Sequence, residues 1–244
     1  MFKMNIKIKT LVLVAVAFFV SSSVLAQNFN VESAKMELLS PKDDTEKDLD
    51  KCVEWIEAAA KHSKTSNSAK MWYYKGLTYL KIAGVNTELT KATPNAVDIA
   101  LESFNNAIKT DEKNKFTADS KMNLLSVAIA LYNKGYTAYQ EESYDNAYAT
   151  FGKALPLMEY DVDGQLKRNN LTAEVIEQMM AFSALGAGNT ANAAKSFQGL
   201  IDKGSSEPSI FTNLAKLQLE SGDTAAAIKT VEAGKELNET DKVL

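Results

Sequence analysis

Cysteine, histidine and arginine are almost missing from this sequence of 244 residues. Cys52 is the only cysteine, so no internal disulfide can form and stability has to come from packing. It falls on an apolar helical face, where a small buried hydrophobe is expected rather than a reactive thiol. His62 is the only histidine. A metal site or a general base needs partners, and neither a second histidine nor a cysteine pair is there to supply them. Its place near a helix C-terminus suits a plain terminal cation. Arg168 is the only arginine, which removes forked recognition of phosphate or carboxylate. Basic blocks are lacking too: the formal charge is −4, and without clustered Lys and Arg nucleic acid is excluded as a partner. No glycine loop that cradles a phosphate occurs, and no nucleophile motif. The acidic run Asp43, Asp44, Glu46, Asp48 and Asp50 lacks the glycine and the spacing of a calcium loop, and reads as a solvated helix start. The chain therefore reads as a non-enzyme, with no catalytic residue, no metal and no cofactor.

The one long apolar run stands at the beginning. Residues 1–10 carry Lys3, Lys7 and Lys9 and no acid, residues 11–20 are continuously apolar, and Ser21, Ser22 and Ser23 lead into Val24, Leu25 and Ala26. This is the pattern of a secretory signal peptide, residues 1–26, with cleavage expected after Ala26. The run is shorter than the roughly 20 apolar residues a membrane span needs. No cysteine lies near the cleavage point, so a bacterial lipid anchor is not expected. Cleavage removes three lysines and no acid, which takes the formal charge from −4 to −7. The mature chain, 27–244, is expected to be exported, periplasmic or secreted, with no transmembrane segment.

What the mature chain does have is a recurring pattern. Trp72, Gly76 and Tyr79 stand in one helical stretch, and Ala100, Phe104 and Ala107 in the next. Small residue, phenylalanine and small or apolar residue return at the same spacing as Ala147, Phe151 and Ala154, and as Ala193, Phe197 and Leu200. Lys134 and Gly135 repeat Lys75 and Gly76. Five helix pairs are expected, near 30–62, 69–110, 117–158, 172–203 and 206–238. In the first pair a helix at 30–39 stops at Ser40 and Pro41, and a second runs over 44–62, capped by Asp43 or Asp44. Ser68 caps the next and Gly84 ends it. Segment 85–92 is an insertion, after which Thr93 and Pro94 restart the helix as cap and first turn. Thr117 caps the third pair, and Pro156 ends or kinks its return helix. Gly188 with Asn189, and Gly222 with Asp223, make the turns of the last two pairs. The first small residues of the return helices, Cys52, Ala100, Ala147, Ala193 and Ala227, are separated by 48, 47, 46 and 34 residues.

The last spacing, with the Trp72, Gly76, Tyr79 and Ala100, Phe104 pattern, resembles the tetratricopeptide repeat family. The chain is identified as an exported bacterial member of it. The resemblance covers most of 30–238 and is weak only in the first pair. It departs from the family where Glu112, Glu159 and Glu239 replace the closing proline. It implies an all-α fold, a right-handed α-solenoid of about five such pairs sharing one core. It also implies a concave groove, lined by the first helices, that binds a peptide or a partner helix. Carried over by position, its lining is Lys70, Tyr73, Leu77 and Leu80; Ile129, Tyr132, Tyr136 and Tyr139; Val175, Gln178 and Phe182; and Ser209, Thr212 and Lys216. The tyrosines would form an aromatic floor, and the plain alternative is packing between helices. The family's carboxylate clamp is matched only by Lys70 and Asn133, without its arginine, and is not expected. The function so implied is an exported protein-interaction scaffold with a protein or peptide partner. Two alternatives stand beside it: an accessory subunit of outer-membrane β-barrel assembly, and a hydrolase or saccharide-processing subunit. Ile228, Val231 and Leu237 on the last helix suggest self-association through the C-terminal end, since no solvating helix follows before Leu244.

Overall fold

The computed structural model describes residues 29–85 and 88–241. The expected signal peptide with its cleavage point at Ala26 lies outside the described residues, as do positions 86 and 87 of the insertion. The described residues are helices and turns, with no strand among them. The chain divides into two compact units, residues 1–124 and 125–244, and the division falls within one long helix.

In the first unit α1 covers 29–38. Its buried face is Val31, Ala34 and Leu38. Helix α2 (Leu49–Lys61) buries Leu49, Cys52, Ile56 and Ala59 at helical spacing. It begins five residues later than the sequence suggested, and its cap is Asp48, which accepts from the Lys51 amide at 3.1 Å. The other two acids are held elsewhere. The Asp43 carboxylate folds onto the Thr45 amide at 2.9 Å, a local turn that competes with helix. Asp44 is bound by Lys47 and by Lys81 of the next helix, at 2.8 and 2.7 Å.

Helix α3 (Ala69–Gly84) carries the Trp72, Gly76, Tyr79 pattern. Ser68 sits at its N-cap without a side-chain capping bond. The insertion is partly helical: α4 (Glu88–Ala92) is one short turn and more, pinned where the Thr90 hydroxyl donates to the Ile82 carbonyl at 2.8 Å. Helix α5 (Ala96–Thr110) starts later than expected, with Asn95 as its N-cap residue. Thr93 and Pro94 form a turn before it, closed by the Ala96 amide on the Thr93 carbonyl at 3.0 Å.

Helix α6 (Thr117–Gln140) is the longest among the described residues. Thr117 is not the residue that caps it. The Asp111 carboxylate reaches forward to accept from the Phe116 and Thr117 amides at 2.7 and 2.9 Å and from the Thr117 hydroxyl at 2.9 Å. In the second unit α7 (Tyr144–Ala154) runs into a 3-10 turn, Leu155–Tyr160, that contains Pro156. A proline cannot continue the α-helical ladder, and the tighter turn needs no bond from its nitrogen. A short α8 (Gln165–Arg168) follows, its first amides held by Asp161 at 3.0 and 3.1 Å.

Helices α9 (Ala173–Gly186) and α10 (Thr190–Asp202) form one hairpin, and α11 (Pro208–Glu220) and α12 (Thr224–Asp241) another. Thr172 and Asn189 cap the first two through side-chain oxygens. Gly188 and Gly222, at φ +74° and +86°, supply the left-handed residue that lets the next amide bond back five residues. Phe197, Leu200, Ile210 and Leu214 are packed in one core with Ala181 and Ala193.

The repeated small residues are where the pairs touch. A Cβ on Gly76 would lie 2.7 Å from the Phe104 ring, and one on Gly135 2.8 Å from the Phe151 ring. No real carbon approaches that closely, so each glycine is the seat of the phenylalanine opposite. Two further contacts of this kind were not legible in the motif: Gly186 against Tyr144 at 2.6 Å, and Gly234 against Phe211 at 2.9 Å. In the last pair the roles are exchanged, with glycine on the return helix and phenylalanine on the first.

Candidate functional site

The first-helix positions expected to line a groove fall into different environments. In unit 1, Lys70 is half-buried and ion-paired with Glu32 of α1. Tyr73 is enclosed by rings, with centroids 5.2 Å from Tyr74, 6.1 Å from Phe104 and 5.3 Å from Phe116. Burial, and after it the charge of Asp119, push its phenol above the ordinary range. Leu77 and Leu80 are half-buried.

In unit 2, α6 presents Ile129, Tyr132, Tyr136 and Tyr139 three or four residues apart, hence on one face. Tyr132 and Tyr136 are stacked, with centroids 6.4 Å apart and planes inclined by 18°. Each side of this stack has a different fate. Tyr132 also leans on Phe151 at 5.7 Å, and Tyr139 on Tyr144 at 5.4 Å, so both are half-buried against α7. Burial raises both phenols. Tyr136 is 43% exposed and Ile129 39%. Tyr73 and Tyr132 both stand three residues before their glycine, and both pack on the phenylalanine that the glycine seats. That place in the repeat belongs to packing between helices, whereas Tyr136, one residue after Gly135, faces outward.

Elsewhere in unit 2, Phe182 of α9 packs edge-on against Phe197 at 5.4 Å and joins the core. Val175 and Gln178 are half-buried. Lys216 of α11 is exposed and pairs with Glu220 at 3.9 Å, while Thr212 is exposed and Ser209 half-buried. The surface that α6 offers is therefore an exposed tyrosine and an exposed isoleucine two turns apart on one face, with a second tyrosine between them. Such a patch can take up an apolar side chain and give a phenol hydrogen bond to a peptide backbone.

The chemistry-bearing residues are held in structural roles. Cys52 is fully buried, and burial followed by the charge of Glu37 pushes its thiol to about 12. His62 follows the last residue of α2, and its Nδ1 accepts from the Lys64 amide at 3.3 Å. Among the described residues no group of three His, Cys, Asp or Glu is placed to hold a metal ion. No helix among them is long and apolar enough to cross a membrane. Sequence reading named no site on α7 and α10, where the structure opens a cavity of about 330 Å³. Its one sequence signal was a glycine inside α10, at position 199, with no motif to explain it.

Residues 179–241 match the tetratricopeptide repeat family. That C-terminal stretch carries tetratricopeptide repeats. The matched stretch holds the Phe197 core and both turn glycines of the last two pairs, which are the parts with the undisturbed period of 34. No curated protein matches the sequence. Solved structures of MamA are distantly similar. A double mutant of the RS-1 protein is 14% identical over 80% of this chain and 88% of that one, with a TM-score of 0.38. MamA of Desulfovibrio magneticus RS-1 from residue 41 onward is 13% identical over 88% and 96%, with a TM-score of 0.37. The MSR-1 protein is 16% identical over 89% and 97%, with a TM-score of 0.36. A likeness this distant carries no argument about shape, partner or role.

Proposed function

We propose that this protein is an exported, non-enzymatic scaffold that holds a peptide or protein segment against the first helices of its repeats. Tetratricopeptide repeats support an interaction role, and the observation that carries the finer reading is the half-exposed Tyr136, stacked on Tyr132, on the same helix face as the exposed Ile129. Exposed aromatics on a rigid helix bury much area at little entropic cost when a partner arrives. Tyr136 and Ile129 are the anchors in this reading, and Lys216 with Gln178 are polar positions at the rim. The segment before residue 27 is the export signal. Helix α12 contributes a second contact, self-associating through the exposed Ile228 and Val231.

The test is site-specific photocrosslinking in cells. A photoreactive phenylalanine replaces Tyr136 in one strain and the exposed Lys153 of α7 in another. Adducts to a common partner are expected from position 136 and not from 153. Equal labelling from both positions, or none from 136, overturns the groove.

A further inference from the structure

The cavity in unit 2 lies between α7, α9 and α10 and shares no residue with the α6 patch. Its apolar lining comes from Tyr148 of α7, Leu155 at the start of the 3-10 turn and Met180 of α9, with Asn192 and Ser196 of α10 as neutral polar neighbours. One wall is Gly199. A glycine inside a helix costs roughly 1 kcal/mol relative to alanine and usually answers a need for close packing or a left-handed turn. Neither applies here. A Cβ at Gly199 would meet nothing within 4 Å, and its φ is not positive. By contrast Gly76, Gly135 and Gly186 are all filled by a neighbouring ring. What the missing side chain of Gly199 leaves is the width of the cavity.

The rim is charged. Lys203 and Glu177 bridge each other at 2.6 Å and cancel. Lys195 stands four residues before Gly199, on the same stripe of α10. It is exposed and pairs with no carboxylate among the described residues. Apolar lining residues with one unneutralised ammonium beside them select a ligand that is apolar and locally anionic together. A volume of about 330 Å³ is at the small end of pockets that enclose a whole small molecule, roughly 300–1,000 Å³. It suits one anchoring side chain.

We infer that this cavity is a second docking site, which takes a large apolar side chain of a partner polypeptide whose neighbouring residue is acidic. The carboxylate lies against Lys195 while the apolar group fills the space beside Gly199. This extends the scaffold reading, and because the residues differ from those of α6, either site can fail without the other.

The experiment is a titration of the protein with the blocked peptide acetyl-Ser-Phe-Glu-Ser-amide, followed by amide chemical shifts. Shifts are expected at Met180, Ser196 and Gly199. Replacing the peptide's glutamate by glutamine is expected to weaken binding about two- to fivefold. Lys195→Gln, an exposed change that leaves the fold intact, should abolish that difference between the peptides. Gly199→Leu fills the space and should remove the shifts, while Gly199→Ala, which meets no neighbour, keeps the helix and weakens them. The inference is overturned by absent shifts at millimolar peptide, by equal affinity for the two peptides, by unchanged binding in Gly199→Leu, or by free 4-phenylbutyrate binding as tightly as the peptide.

Discussion

At the scale of single residues, two kinds of contact carry this fold. One is steric. Gly76 and Gly135 leave room for the Phe104 and Phe151 rings, and even a methyl group there would stand under 3 Å from ring carbon. Gly76→Leu or Gly135→Leu should overpack the pair and cost about 1–3 kcal/mol. Thermal unfolding checks this, and an unchanged midpoint in both variants would contradict the pairing. The other contact is electrostatic. Burial by itself raises the Asp111 carboxyl, but the Phe116 amide, the Thr117 hydroxyl and further amide donors outweigh it and hold it below the usual carboxylate range. A depressed folded-state pKa means stability present above the unfolded value, about 3.9, and lost as pH falls through the folded one. Asp111→Ala should therefore cost about 1 kcal/mol at neutral pH, as loss of a helix cap does, and the deficit should shrink in acid. Denaturant titration at pH 7 and pH 2.5 measures both, and a deficit that stays constant with pH would assign the effect to packing.

At the scale of the element, α6 is asymmetric along one stripe. Tyr132 and Tyr139 rest on α7, whereas Tyr136 rests on Tyr132 and on water. Tyr132→Ala and Tyr139→Ala should each destabilise by about 1–3 kcal/mol, less than a fully buried ring would. Tyr136→Ala should cost under about 1 kcal/mol and act mainly on partner binding. Three equal losses of stability, measured by chemical denaturation, would make the whole stripe core and remove the proposed anchor. The sequence reading could place all three tyrosines on one face, because the period of 3.6 residues is a local property. It could not separate them, because which ring meets α7 depends on a helix that begins after the turn.

At the scale of the molecule, the repeat leaves its mark at the end. Ile228 and Val231 stand 34 residues after Ala194 and Phe197. Phe197 is fully buried in the core that α11 completes, while Val231 is 41% and Ile228 54% exposed. Leu237 is also exposed but lies nine residues from Ile228, about half a turn round the helix, so it does not extend the same patch. Self-association through this place predicts a scattering mass that rises with concentration and an Ile228→Asp variant that stays monomeric. A monomer at every concentration would remove the end contact. Export is checked separately: N-terminal sequencing of the protein recovered outside the cytoplasm is expected to begin at Gln27, and retention of Met1 would refute it.

The sequence by itself marked the helical stretches, the turn glycines and the recurring small residues and phenylalanines. Those follow from rules that act within a few residues: apolar periodicity, the left-handed conformation open to Gly188 and Gly222, and the size of the side chain beside a ring. Tertiary structure decided the rest. It drew Asp44 away from α2 to Lys81, 37 residues on. It packed Tyr73 among rings and left Tyr136 open, although the repeat pattern puts both on the groove floor. It also left the space beside Gly199 empty. Each of these depends on where a distant chain segment comes to lie, and a single side chain reports that position only once its neighbours are packed around it.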